Sequence, residues 1–255
     1  MSFFKAGLIG CPVYHSRSPL IYAELFKKHG IDGSFSVIEI TESELPRIRE
    51  IVSKRGLNAF AVTMPHKKTI IQYLDEISPD ARDLGSVNFV TVQNGRLCGY
   101  STDGDGFLSA LTEAGASVKH KNVHIYGYGG AAASVVYSLK QVGANITVSG
   151  RNSDKVNAFS KAFGISKAEG INLEECDIFI NATPLGMQGK HNFSDFVFLD
   201  NAESSLYVCD LVYAPLETEL IKNAKKRSLK TQNGIPMLKK QAEIAFNIML
   251  KSIDD

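Results

Sequence analysis

Four β-rich runs, NVHIYG, NITVSG, CDIFINA and SLYVCDLVY, recur through the second half of the chain, with segments of helix length between them. This alternation restricts the fold more than any other feature. A strand, a helix and a second strand are joined by a crossover, which makes neighbouring strands parallel and places helices on both faces of the sheet. The expected fold class is therefore α/β with a mostly parallel sheet.

The first half alternates less regularly. Lys5 to Gly10 reads as a strand, and Ser18-Pro19 then opens a helix that Gly30 closes, with serine suited to the cap and proline to the first helical position. Gly33 to Ile40 is a second strand. Thr41 and Glu44 form a capping-box pattern that predicts a helix over Glu42 to Arg55. Ala59 to Met64 is a third strand and Lys68 to Glu76 a further helix. SVNFVTV and RLCGYST flank Asn94-Gly95, a strong hairpin turn signal. The run into Gly104 to Gly106 feeds a new helix, which puts a domain boundary near Thr102. A last helix covers Met237 to Ser252.

A chain of 255 residues is long enough for one large domain or two modest ones. With 44% hydrophobic and 22% charged residues and a net charge of +1, it offers no electrostatic reason to bind nucleic acid or an anionic membrane. Its four cysteines form no CxxC pair, and Cys176 and Cys209 sit beside apolar runs where a small buried hydrophobe fits. The six histidines have no ligand spacing, so neither a metal nor a disulfide is expected, and a reducing cytoplasm is the expected location. The opening MSFFKAGLIG lacks the pattern of a signal peptide. The long uncharged run Val123 to Leu139 is broken by Gly127, Gly129 and Gly130, and reads as strand, turn and helix rather than a membrane span.

That turn, VHIYGYGGAAAS, has the make-up of a dinucleotide-binding loop: glycines permit close backbone approach, and free amides at a helix start face a pyrophosphate. A tight turn without a ligand would carry the same signature, and the spacing is G-x-G-G-A. About 20 residues on, the end of the next strand holds Gly150-Arg151-Asn152 where an NAD site would want an acidic residue. An arginine there suits the 2′-phosphate of NADP, while Asp154 nearby leaves NAD open.

Taken together, GCPVYHSRSP, AVTMPHK, LGSVN, GYSTDGDGF, GYGGAA, INATPLGM, DLVYAP and NGIPMLKKQA are collinear along nearly the whole chain, and in this it resembles the shikimate dehydrogenase family. The resemblance implies a substrate-binding domain over residues 1–102 plus 237–255 and a Rossmann-type NADP-binding domain over 103–236, with the reaction in the cleft between them. It implies NADP-dependent, reversible reduction of 3-dehydroshikimate to shikimate, a small-molecule task in aromatic amino-acid biosynthesis, by a monomer or homodimer. Ser16 and Ser18 would hold the substrate carboxylate, a role their hydroxyls and the helix amides suit, although plain capping would also explain them. Thr63, Asn88, Asp103, Tyr213 and Gln241 would line the pocket for the ring hydroxyls. Gly127, Tyr128, Gly129, Gly130, Ala131, Arg151, Asn152, Ser153, Leu211 and Gly234 would contact the cofactor.

By the same resemblance Lys67 is the catalytic lysine and Asp103 its partner carboxylate. Lys68 is a surface charge, and His66 has no role in proton transfer. A lysine ammonium can protonate the oxygen that hydride transfer leaves charged, and an adjacent aspartate favours the charged amine. Alcohol oxidation, which needs the neutral amine, is expected to quicken toward alkaline pH.

The chain departs from the family pattern near the expected site. Ala61 stands for an asparagine, Phe89 for a threonine and Ser101 for an asparagine; Tyr128 replaces an alanine, and Gly150 and Asn152 replace the usual neighbours of Arg151. The first three predict lost buried hydrogen bonds, each on the order of 1 kcal/mol. They keep open a relative acting on quinate or another cyclic hydroxy acid with NAD or NADP. A non-catalytic shikimate-binding regulator is the remaining alternative, against which both Lys67 and Asp103 speak.

Overall fold

The computed structural model describes residues 3–14 and 16–254, with only the backbone of 253 and 254. Met1 and Ser2, part of the opening read for a signal peptide, and Asp255, the end of the expected first domain, lie outside the described residues. The chain divides into two compact units, residues 1–102 with 241–255, and residues 103–240.

The first unit holds β1 (Phe4–Gly10), α1 (Ser18–Lys28), β2 (Gly33–Glu39), α2 (Ile48–Arg55), β3 (Ala59–Val62), β4 (Glu76–Ile77), α3 (Pro79–Leu84), β5 (Phe89–Gln93) and β6 (Arg96–Tyr100). Its sheet runs β2-β1-β3-β5-β6-β4. β1 pairs in parallel with β2 and β3, whereas β5 is antiparallel to β3 and β6. The Asn94-Gly95 turn forms as read. Gln93 pairs with Arg96, and both turn residues have positive φ (48° and 79°), which asparagine and glycine tolerate best.

Two helices differ from the sequence reading. Thr41 and Glu44 do form the box, the Glu44 carboxylate accepting from the Thr41 amide at 2.9 Å and from its hydroxyl at 2.7 Å. The chain then makes only a 3₁₀ turn at Leu45–Arg47, and the α-helix starts at Ile48. Pro46 has no N–H for an α-helical bond, so a short turn precedes α2. The helix expected over Lys68 to Glu76 is a 3₁₀ segment, Thr69–Tyr73, because Leu74 turns extended and Glu76 joins β4 against β6.

The second unit holds α4 (Asp103–Glu113), β7 (Asn122–Tyr126), α5 (Gly130–Gln141), β8 (Asn145–Ser149), α6 (Ser153–Phe163), β9 (Ser166–Lys167), β10 (Ile178–Asn181), β11 (Tyr207–Asp210), α7 (Glu219–Lys226) and β12 (Lys230–Gln232). Its six strands are all parallel, in the order β12-β11-β10-β7-β8-β9. Read from β7, this is the 3-2-1-4-5-6 order of a doubly wound dinucleotide fold, and it reverses between β7 and β10. The four strands read from the sequence are present. β9 and β12, two and three residues long, are too short to show any periodicity.

A final helix, α8 (Ile235–Asp254), starts in the second unit and ends in the first. In the first unit Phe246 is fully buried against Phe26, edge to face with ring centroids 5.2 Å apart, and against Tyr22 and His29. Each unit has its own apolar core, around Ile9, Phe60 and Leu97 in the first and around Ile125, Val135 and Ile180 in the second. Cys176 and Cys209 are buried as expected, and burial raises both thiols, Cys176 to about 11. Among the described residues no helix is long and apolar enough to cross a membrane.

Candidate active site

In the first unit, the carboxyl ends of β1 and β3 carry the candidate substrate residues. Gly10 lets the two loops close, since a Cβ there would run into Thr63, Val13 and the Met64 carbonyl. Thr63 is held by its amide bond to the Ile9 carbonyl at 2.9 Å. Ser16 and Ser18 come together. The Ser16 hydroxyl accepts the Ser18 amide at 3.2 Å and donates to the Ser18 hydroxyl at 3.1 Å. Arg17, not Ser18, is the N-cap residue, and its side chain makes no capping bond. Ser18 is buried at the first helical position, so its hydroxyl serves a pair rather than a cap.

His66 and Lys67 follow directly. The His66 ring is fully buried, with Nε2 2.6 Å from the Ile40 carbonyl oxygen. A carbonyl only accepts, so Nε2 carries the proton and the ring ties the segment to the end of the β2 strand. That placement supports a packing role. Lys67 is half-buried and Lys68 exposed. The Lys67 carbonyl accepts the Val87 amide at 2.8 Å, which fixes its backbone beside the start of β5.

A polar cluster joins three distant parts of this unit. Asn88, buried ahead of β5, accepts the Thr102 amide at 2.7 Å and donates to the Thr102 hydroxyl at 2.9 Å and to Gln241 Oε1 at 3.2 Å. The Thr102 hydroxyl also donates to Gln241 at 3.3 Å. Two expected pocket residues are thus in contact, and no sequence signal marks their shared partner, Thr102.

Two of the three substitutions read as lost hydrogen bonds lie side by side. Ala61 and Phe89 are direct partners across β3 and β5, and Phe89 is fully buried. A small residue faces a large apolar one, so neither side chain brings a polar group to this pair. Among the described residues, the buried side-chain polar atoms without a partner are the Tyr22 hydroxyl and His66 Nδ1, and neither belongs to the cluster. The expected penalty of an orphaned partner is therefore absent there.

In the second unit, Asp103 begins α4, whose first turn also carries Asp105; both suit the positive end of the helix dipole. Gly104 lets α4 approach α5 closely, since a Cβ would meet the Ser134 carbonyl, and Asp105 accepts from Ser138 at 2.8 Å.

The glycine loop separates into two kinds of glycine. Gly127 has φ +126°, and a Cβ on it would lie 2.9 Å from the Ala182 carbonyl. The chain itself demands that glycine. Gly129 has φ −87°, and Gly130 opens α5; a Cβ on either would meet nothing within 4 Å. Nothing among the described residues requires their bareness. Open space above the amides of a 12-residue helix with no acidic residue in its first turn, at the point where strand order reverses, fits a dinucleotide pyrophosphate. Ala131 is exposed in that first turn.

At the end of β8, Gly150 lies beneath the Tyr128 ring, and Arg151 and Ser153 are exposed. Asn152 caps α6, its Oδ1 accepting the Lys155 amide at 2.9 Å. Arginine and a helix N-terminus at the strand end suit the 2′-phosphate of NADP, and the acidic residue of this turn, Asp154, comes only in the first turn of α6.

Beyond β10 and β11 lies a network that the sequence does not reveal. Asn181 Nδ2 donates to Asp210 at 2.9 Å and to the Leu185 carbonyl at 3.1 Å, and the Thr183 hydroxyl donates to Asn181 Oδ1 at 2.7 Å. Asp210 also accepts from the Val212 amide at 3.0 Å and the Thr218 hydroxyl at 2.6 Å. Burial pushes the Asp210 carboxyl up to about 6, against the pull of these donors. The network secures the loop carrying Leu211 and the half-buried Tyr213. Gly234 sits against the Leu211 carbonyl, where a Cβ would clash, so these two expected cofactor residues are also brought together. The signal for the network is the pair of motifs INATPLGM and DLVYAP, each ending a strand at the sheet's carboxyl edge.

A family model described as the shikimate dehydrogenase substrate binding domain matches residues 8–90. The shikimate dehydrogenase (NADP(+)) of Methanocaldococcus jannaschii is 38% identical over 253 residues, spanning 95% of this chain and 89% of its own. A crystal structure of a shikimate dehydrogenase in complex with NADP+ has a TM-score of 0.91 at 37% identity, over 97% of this chain and 90% of that one. The shikimate 5-dehydrogenase of Thermus thermophilus, crystallised with NADP(H) and shikimate, has a TM-score of 0.90 at 31% identity, over 97% and 94%. Similar in sequence and in fold over almost its full length, the chain belongs to the shikimate dehydrogenase family.

Proposed function

We propose that the chain reduces 3-dehydroshikimate to shikimate, reversibly and with NADP, a reading supported by relatives named shikimate dehydrogenase (NADP(+)) and by one crystallised with NADP(H) and shikimate. NADPH, when bound, supplies hydride to the substrate's carbonyl carbon. The protein's part is to hold the acid, present its carbonyl and manage one proton. Ser16 and Ser18, paired at the start of α1, take the substrate carboxylate with their hydroxyls and the free helix amides. Thr63, Asn88, Tyr213 and Gln241 take the ring hydroxyls. Lys67 gives its ammonium proton to the oxygen that becomes charged, yielding the alcohol, and its neutral amine takes that proton back in oxidation. Asp103 orients Lys67 and binds a hydroxyl. Gly127, Gly129, Gly130 and Ala131 receive the pyrophosphate, Arg151 and Ser153 the 2′-phosphate, and Leu211 and Gly234 the nicotinamide end. In these terms the first unit binds substrate and the second NADP.

The observation that most supports this reading is the lock of Asn88 on Thr102, which holds the residue directly before Asp103 by its amide and its hydroxyl. The test is the initial rate of nicotinamide reduction in a grid of shikimate or quinate against NADP or NAD. Turnover confined to shikimate with NADP supports the reading, whereas a preference for quinate would overturn the substrate assignment. Lys67→Ala is expected to lower kcat by about 10²- to 10⁴-fold or more with NADP affinity retained. Near-normal turnover in that variant would remove Lys67 from proton transfer.

A further inference from the structure

We infer that Tyr128 fixes the coenzyme choice of this chain, by occupying with its ring the place at the end of β8 where an NAD-type carboxylate would stand. This rests on the reading of the second unit as an NADP-binding unit.

The two residues come from neighbouring strand ends. β7 and β8 are parallel, with Tyr126 opposite Ser149, so the glycine loop after β7 and the turn after β8 emerge side by side. The Gly127 amide bonds to the Ser149 carbonyl at 2.9 Å, which fixes the register of the two turns. Tyr128, half-buried, lies over Gly150, and a Cβ on residue 150 would be 2.8 Å from Tyr128 Cε1 and 3.0 Å from Cδ1.

A contact that short forces the ring or the turn to move, so residue 150 carries no side chain while the ring keeps this position. Residue 150 is the first position after β8, in the strand-end stretch 150–152 where a dinucleotide fold specific for NAD places an acidic residue to bind the ribose. At residue 150 such a carboxylate is excluded sterically, before any question of charge, and the acidic side chain of this turn is Asp154, in the first turn of α6. What remains beside the ring is Arg151 and the N-terminus of α6, capped by Asn152. The same contact restrains Gly150, the most pliable link in the turn, and with it the direction in which Arg151 leaves the strand. Tyr128 and Gly150 are thus one feature, a ring and the bare backbone that receives it.

The test measures the affinities of NADP+ and NAD+ by titration calorimetry for the wild type, Tyr128→Phe, Tyr128→Ala, Gly150→Asp and the double variants Tyr128→Ala/Gly150→Asp and Tyr128→Phe/Gly150→Asp. With the ring in place, Gly150→Asp is expected to weaken NADP+ without any gain for NAD+, or to melt early. Without the ring, the same aspartate is expected to strengthen NAD+ at least tenfold. Tyr128→Phe keeps the ring, so adding Gly150→Asp to it should bring no more gain for NAD+ than adding it to the wild type, because ring carbons rather than the hydroxyl fill the space. A gain for NAD+ from Gly150→Asp that is the same with Tyr128 as without it would overturn the inference. A wild type that binds NAD+ as tightly as NADP+ would instead overturn the NADP reading on which it rests, and that comparison needs no variant.

Discussion

Asn88 holds Thr102 twice, accepting its amide at 2.7 Å and donating to its hydroxyl at 2.9 Å, and both residues are buried. Asp103 is the next residue. Asn88→Ala leaves a buried amide without an acceptor, a loss of about 1–3 kcal/mol. The expected outcome is a lower urea midpoint together with at least a tenfold fall in kcat/KM for shikimate. Asn88→Asp keeps the acceptor for the amide but loses both donated bonds, so it should fall between the two in stability. Equal activity in all three proteins would separate Asn88 from the site.

The two kinds of glycine in the turn after β7 predict opposite phenotypes. Gly127→Ala puts a side chain at φ +126° and 2.9 Å from the Ala182 carbonyl, so it should lose about 2 kcal/mol or more of stability. Gly129→Ala meets neither strain nor a neighbour, so its unfolding midpoint should match the wild type. Its cost should fall on NADP+ affinity, by about tenfold or more, since the added methyl stands where the pyrophosphate approaches. Calorimetric affinity and thermal unfolding, measured on both variants, separate the two effects.

How much of this is legible in the residues alone depends on the range of each interaction. The strand-helix alternation, the Asn94-Gly95 hairpin and the glycine turn are local patterns and can be read directly. The helix over Glu42 to Arg55 reads too long because the capping box outweighs Pro46, whose missing N–H delays the α-helix to Ile48. The segment from Lys68 reads as a helix because nothing local announces that Glu76 will pair with Cys98. Ala61 and Phe89 look like two separate losses, and Tyr128 and Gly150 like two unrelated replacements. Each is one pair of neighbours, visible only once strand register sets residues distant in sequence against each other. The Asn181, Thr183, Asp210 and Thr218 network escapes for the same reason, although the motifs that carry it stand out.

Two buried groups oppose each other in acid. Burial lowers His124 to about 4, and its Nε2 lies 2.7 Å from the Ser149 hydroxyl. Unfolded histidine titrates near 6.5, so the unfolded chain binds the extra proton first, and this contribution to stability is lost as pH falls from about 6.5 to about 4. Asp210, raised to about 6, works the other way: its folded form binds a proton before the unfolded form does, so its contribution is present below about 4 and lost as pH rises to about 6. Each amounts to about 3 kcal/mol, and the slopes largely cancel between them. Asp210→Asn removes one of the pair. Urea unfolding of that variant should show stability climbing with pH from about 4 to 6.5 more steeply than in the wild type, and parallel profiles would contradict the assignment.

Tyr22 is the place where a deletion should stabilise the protein. Its ring stacks on Phe35 at 4.0 Å and tilts against Phe246 at 6.2 Å, contacts that phenylalanine would keep. Its hydroxyl is buried without a hydrogen-bond partner, and burial raises its pKa. Such a hydroxyl surrenders its bonds to water and gains none, so removing it should be worth about 1 kcal/mol in favour of the folded state. Tyr22→Phe is expected to raise the thermal midpoint by about 2–4 °C, whereas most substitutions in a core lower it. Tyr22 lies one helical turn beyond Ser18, so activity measured on the same variant reports whether the start of α1 keeps its geometry. A lower midpoint would mean that the hydroxyl is bonded to a buried water, which bridges a second polar group in this part of the core.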